Sequence, residues 1–156
     1  MSAQEVPRSP AEAAPAGSTV PPTGRRGPEP DTTAPDGSEI RLLIGEGQGA
    51  TRASVVEVTL PAGQVSRPVA HRTVEEVWYV LAGAGQVWRC PPGARPDGVE
   101  PVPVAPGDAL VIPTGWRFQF ASNQAPLRLL CFTTPPWPGA GEAQPAEPGG
   151  LGPATV

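Results

Sequence analysis

The chain has 156 residues, a net charge of −4 and no lysine, with 24 prolines and 19 glycines. So much proline and glycine excludes a helical domain, because proline costs roughly 3 kcal/mol inside a helix and both residues gather at turns and strand ends. The eleven basic residues are all arginines, and only Arg25 and Arg26 are adjacent. The clustered positive face that nucleic-acid phosphates require is missing, so no nucleic-acid partner is expected.

The start, MSAQEVPRSP, lacks the basic start and apolar run of a secretion signal. No window approaches the ~20 apolar residues of a membrane span. Cys90 and Cys131 are too few for a disulfide framework, and a reduced cytoplasm is the simpler setting. The expectation is a soluble cytoplasmic protein with no membrane partner.

Residues 1–37 hold almost no large apolar side chains and are expected to be a disordered Pro/Gly-rich tail. Residues 136–156 read as an extended or disordered C-terminal tail. The single folded domain is expected over 38–135, a size that folds unaided.

Within that domain the apolar period is two or continuous. The segments EIRLLI, RASVVEVTL, EEVWYVLAG, GQVWRC, ALVIP, FQFA and LRLLCFTT read in order as short strands. Turns separate them. Pro61 with Gly63 and Pro113 with Gly115 suit type I, and Pro106 with Gly107 suits type II. Gly83 and Gly85 suit a tight antiparallel connection, and residues 91–101 read as an exposed loop. No helix longer than a turn or two is visible, so the class is all-β, a sandwich or small barrel.

The chain's only histidine stands in HRTVEEVWYVLAG, residues 71–83. Strand alternation places Glu76, Trp78 and Val80 on one face, with Glu75 on the other, and pairs Phe118 with Phe120 across Gln119. Tyr79 and Trp88 take the opposite parity, that of the outer face or a dimer contact. The parity of Cys131 stays ambiguous. Trp137, between prolines, is expected to pack the chain end onto the barrel.

The chain resembles the cupins over about residues 40–135. Gly63, Val69, His71, Glu76 and Gly83 fall in register on the first cupin motif. On the second, Gly107, Pro113 and Gly115 match, with Phe118 at the histidine place and Ser122 at the asparagine place. The end TTPPWPGAGEA resembles a group of small bacterial cupins that carry HRTVEE and PPWPG together. The resemblance implies a double-stranded β-helix, or jelly-roll, and a homodimer paired through its sheets. It also implies a metal held at the places of Val69, His71, Glu76 and Phe118.

Two of those four places are hydrocarbons that donate no electron pair. A divalent metal would have only His71 and Glu76 as ligands, fewer than the three protein ligands usual for catalytic zinc or non-haem iron. Three readings stay open. The pair is a metal site with a third ligand elsewhere, a metal-free proton-transfer pair of the isomerase, epimerase or lyase kind, or a structural hydrogen-bonded pair in a non-catalytic binding or accessory barrel. The first two make His71 and Glu76 the catalytic candidates. Trp78, Phe118 and Phe120 are expected to wall an apolar cavity for a small-molecule ligand. Arg117 is expected to bind that ligand, and Arg67 and Arg72 flank the same motifs.

Overall fold

The computed structural model describes residues 20–156. Eleven strands run in chain order: β1 (Thr32–Thr33), β2 (Glu39–Ile44), β3 (Ser54–Leu60), β4 (Val69–His71), β5 (Glu75–Ala82), β6 (Gly85–Cys90), β7 (Val102–Val104), β8 (Ala109–Ile112), β9 (Arg117–Ser122), β10 (Leu127–Thr134) and β11 (Ala143–Pro145). The only helical pieces among the described residues are two three-residue turns, Glu46–Gln48 and Pro96–Gly98. All pairings are antiparallel. They build one sheet in the order β1-β2-β3-β10-β5-β8 and another in the order β11-β4-β9-β6-β7. The all-β jelly-roll reading is the observed architecture.

Every strand expected from the sequence is present, within about two residues at its ends. The four that were not read are β1, β4, β7 and β11, each of three residues or fewer. They are too short to show a period, and β7 and β11 contain Pro103 and Pro145. Both lie at the edges of the second sheet, where a missing N–H need not break the ladder.

The two sheets close on one apolar core. The first contributes Val58, Leu60, Trp78, Val80, Leu127, Leu129 and Ile112, and the second Val69, Val87, Phe118 and Phe120. Fully burying a large side chain of this kind contributes roughly 1.5–3 kcal/mol. Two glycines show where a side chain has no place. Gly107 sits at φ 94° in the expected turn, and a Cβ on Gly85 would run into the Ala121 carbonyl across the β6–β9 ladder.

The tails differ from expectation. Residues 1–19 of the expected N-terminal tail lie outside the described residues. The rest of that segment is tied along β2 and β3. Arg26 pairs with Glu57 at 2.8 Å, Arg41 donates to the carbonyls of Gly27 and Pro28, and the Asp31 carboxylate accepts from the Leu42 amide. The segment from 136 onward is extended, but it is docked. β11 pairs with β4, and the Gln119 side chain bonds Leu151 and Gly152. Gly149 and Gly150 cover Gln119 and Trp88, and Trp88 is fully buried on the outer side of its sheet. Counting large apolar residues missed this docking because backbone groups and charges carry it.

Outside the first sheet, one row of side chains runs in register across five strands: Val111, Val77, Phe132, Val55 and Ile44. Val55 is partly buried and the other four are exposed. Tyr79 lies exposed on the same face.

Candidate functional site

The site is built from β4, β5, β9 and β10. Alternation on β5 turns Glu76, Trp78 and Val80 inward while Glu75, Val77 and Tyr79 face out. On β10 the register sets Cys131 opposite Trp78 and Thr133 opposite Glu76. Cys131 therefore faces the interior, which settles its parity. On β4, Val69 lies opposite Phe118 and His71 follows two residues later on the same face.

His71 is 5% exposed. Its ring meets Phe118 edge-on at 5.1 Å and Trp137 edge-on at 5.3 Å. Its Nδ1 is buried without a hydrogen-bond partner and stands 3.8 Å from a Glu76 oxygen, beyond hydrogen-bond reach. The other Glu76 oxygen accepts from the Trp78 indole at 2.8 Å. The two groups are brought together, then, but not bonded.

Burial disfavours the charged form of each. Burial lowers His71 to about 4, although the negative Glu142 pulls it upward. Glu76 rises to about 7 for the same reason, against the Trp78 hydrogen bond that lowers it, with a further push from negative Asp36. The Cys131 thiol beside Glu76 is raised well above its usual range by burial and by the carboxyl's charge. At neutral pH the site is a neutral imidazole, a carboxyl whose ionisation burial has pushed up toward that pH, and a protonated thiol. Glu76 does not hold His71 in its cationic form.

Trp78, Phe118 and Phe120 are fully buried, and they fill space rather than frame it. Trp78 packs edge-on to Phe118 at 5.6 Å and to Phe120 at 5.1 Å. Two surface clefts, one beside Arg89 and one beside Arg95, include none of the three. Arg117 is directed elsewhere. Its guanidinium donates to the Ala94 carbonyl at 2.6 Å and the Cys90 sulfur at 3.3 Å, on the opposite parity from Phe118. Arg67 reaches the Val156 carbonyl, and the Arg72 amide bonds Glu142 while its side chain lies exposed.

The segment after β10 closes the site. Trp137 lies on His71, with its amide held by the Ser54 hydroxyl. Glu142 accepts from the amides of Thr73 and Val74 at 2.6 and 2.7 Å and from the Thr73 hydroxyl at 2.9 Å. Burial pushes Glu142 upward, but these three donors and the neighbouring His71 together hold it below the usual range. Sequence reading missed this latch. Its only sign was a lone acid in a Gly-rich stretch.

The donor set does not fit a metal. Val69 and Phe118 offer none, and among the described residues no group of three or more His, Cys, Asp or Glu side chains could hold an ion. The third ligand that a metal site would need is not found there.

Comparison with known proteins places this geometry. The family profile described as "Cupin domain" matches residues 56–133. An uncharacterised protein of Methanocaldococcus jannaschii is 31% identical over 105 residues, covering 65% of this chain and 77% of that protein. Among solved structures, the polyketide cyclase RemF of Streptomyces resistomycificus superposes with a TM-score of 0.58 at 24% identity, over 79% of this chain and 80% of that one. Pac13, described as a nucleoside dehydratase, superposes with a TM-score of 0.55 at 16% identity, over 80% and 85%. KdgF of a Halomonas species gives 0.52 at 20% identity, over 67% and 84%. At these identities the structural likeness concerns the fold alone.

Two outcomes follow. The sign for Glu76 is that of a raised acid: the stability it leaves intact at low pH is lost as the pH rises from about 4.5 through about 7, because the unfolded chain releases the proton first. Glu76→Gln cannot ionise, so its Tm relative to the parent should be higher at pH 8 than at pH 4.5. His71, Asp36, Cys131 and Glu142 face the same region and are common to both proteins. A Tm difference independent of pH would contradict the assignment. Glu142→Ala should loosen the segment over His71. The rate at which diethylpyrocarbonate modifies this only histidine should then rise roughly fivefold or more, as local opening becomes easier; an unchanged rate would mean Glu142 is no latch.

Proposed function

The chain belongs to the cupin domain family, and on that premise we propose that it binds a small organic molecule at the His71 end of its barrel and moves a proton on it without a metal, as an isomerase, epimerase or lyase does. The observation that carries this reading is the buried, unbonded His71 Nδ1 facing a Glu76 oxygen 3.8 Å away. A ligand oxygen about 2.8 Å from each would bridge that span. In the tautomer protonated at Nε2, Nδ1 offers a lone pair, and His71 takes a proton from the ligand carbon beside that oxygen as Glu76 gives one to the oxygen. His71 then returns its proton to carbon and Glu76 recovers its own from the oxygen, which restores both groups. Burial keeps the imidazole neutral and pushes the carboxyl upward, which leaves one group able to take a proton and the other able to give one.

Trp78, Phe118 and Phe120 form the apolar surround of this pair. The motif is a metal site that has lost two donors, in a subgroup marked by HRTVEE and PPWPG. Two solved neighbours named as a cyclase and a dehydratase support chemistry on a small organic molecule. The enclosure of His71 under Trp137 favours a second reading, a barrel that binds its ligand without turning it over. A cytoplasmic setting is part of the proposal, supported by two free, buried cysteines. No helix among the described residues is long and apolar enough to cross a membrane.

Incubation in deuterated buffer with a panel of small hydroxy- and keto-compounds, followed by NMR, tests the chemistry. The parent should exchange a carbon-bound hydrogen of one compound, and His71→Ala should be at least about 100-fold slower. A His71→Ala protein as fast as the parent would end the proton-transfer reading. Thermal stabilisation by a compound with no exchange would establish the binding barrel instead.

We further propose a second copy of the chain as partner, docked on the row from Val111 to Ile44. An apolar row crossing five strands is the self-complementary surface a two-fold sheet-to-sheet contact uses. Light scattering should give twice the chain mass for the parent and the chain mass for Phe132→Glu. A monomeric parent would rule this out.

A further inference from the structure

The two sheets are not bonded where their edge strands β7 and β8 face each other, and a cleft of about 320 Å³ opens along that seam. Val87, Val99, Val102 and Trp116 contribute apolar walls, and Arg89 and Glu100 bring charge. Arg89 arises from the same alternation that buries Val87. Both lie on the inward parity of β6, and Arg89 stands opposite Phe118. Its guanidinium crosses the seam and donates one bond, from Nη1 to the Val111 carbonyl at 2.9 Å. No carboxylate lies within ion-pair distance of it among the described residues, Glu100 included.

This combination has a chemical meaning. One bond fixes the position of the guanidinium and leaves its other N–H groups available, and a charge against apolar walls favours an anionic partner. Arginine meets carboxylates with a planar fork. A cleft near 300 Å³ with apolar walls and few polar groups lies at the small end of known ligand sites. Trp116 adds a flat face. The turn carrying it is held to the site strand, since the Gly115 amide donates to the His71 carbonyl. Phe118 opposes Arg89 in register and packs on His71, and it is not part of the cleft's lining.

We propose that the seam cleft is a binding site for a small aromatic or unsaturated acid, whose carboxylate meets Arg89 and whose flat body lies among the valines against Trp116. The inference does not depend on His71 and Glu76 being catalytic. It differs from the expectation for Arg117, whose guanidinium is already engaged on the opposite face of its strand.

Calorimetric titration of the whole chain with 2-naphthoate and with neutral 2-naphthamide tests it. The acid should bind one per chain and roughly tenfold more tightly than the amide, the margin of one charge-assisted contact. Arg89→Gln should remove that margin. Glu100→Gln, which takes a repelling carboxylate off the cleft and leaves the Arg89–Val111 bond in place, should tighten the acid severalfold. His71→Ala should bind as the parent does. No saturable binding of the acid, equal binding of acid and amide, or an unchanged margin in Arg89→Gln would each overturn the proposal. Loss of binding in His71→Ala would place the acid in the barrel and also overturn it.

Discussion

The position of β5 governs the interior. It is held on both sides, by β10 along Glu75–Ala82 and by β8 along Glu76–Tyr79, so its register cannot slip without breaking two ladders. A slip of one residue toward the strand's end would exchange Glu76, Trp78 and Val80 for Val77, Tyr79 and Leu81. That would bury an apolar set of similar size and expose the carboxyl, an exchange that hydrophobic burial alone would tolerate. What opposes it is the pair of ladders and the fit of the Trp78 ring against Phe118 and Phe120. The fold therefore imposes the burial of Glu76, and Glu76 does not contribute to it.

That imposed burial explains the electrostatics. A carboxyl this deep is ordinarily met by a cation, and here no arginine lies within ion-pair distance of it. The nearest basic group, His71, is itself buried and is held neutral by the same lack of water. Each group is short of the partner that would ionise the other. A small molecule that supplied a dipole or a hydroxyl between them would relieve both. Full ionisation of the pair with nothing between would face two desolvation penalties against one attraction over 3.8 Å. With nothing between them neither charge is well supported, which keeps the imidazole neutral and pushes the carboxyl's ionisation upward.

The barrel was legible because its signals are local and repeated. Alternation fixed Trp78, Phe118, Phe120 and Trp88 on their correct faces, and motif spacing fixed the turns at Gly63, Gly83, Gly107 and Gly115. Cys131 stayed ambiguous because its strand, LRLLCFTT, is apolar at several positions of both parities. The attachment of residues 20–37 and 136–156 has a different basis. Arg26 is held by the Glu57 carboxylate, while Asp31, Arg41 and Gln119 bond backbone amides and carbonyls, and neither kind of bond leaves an apolar pattern to read. Arg117 was favoured for its place in the second motif, whereas Arg89 had the inward parity and was passed over because its strand carries no motif. Whether an inward position borders space or packed rings depends on how large side chains from opposite sheets meet. No single strand contains that information.

The same geometry bears on how a ligand would reach the interior. Over His71 the barrel is shut by Trp137 and by the Glu142 carboxylate on the Thr73–Val74 amides, which are several bonds that must open together. At the seam the sheets are already apart, and the main bridge described there is the single Arg89–Val111 bond. Opening is easier where fewer bonds break. Local opening is therefore easier along β8, at the seam, than over His71. Phe118, opposite Arg89 across β6 and β9 and edge-on to His71, is the packing step that links the cleft's arginine to the buried histidine.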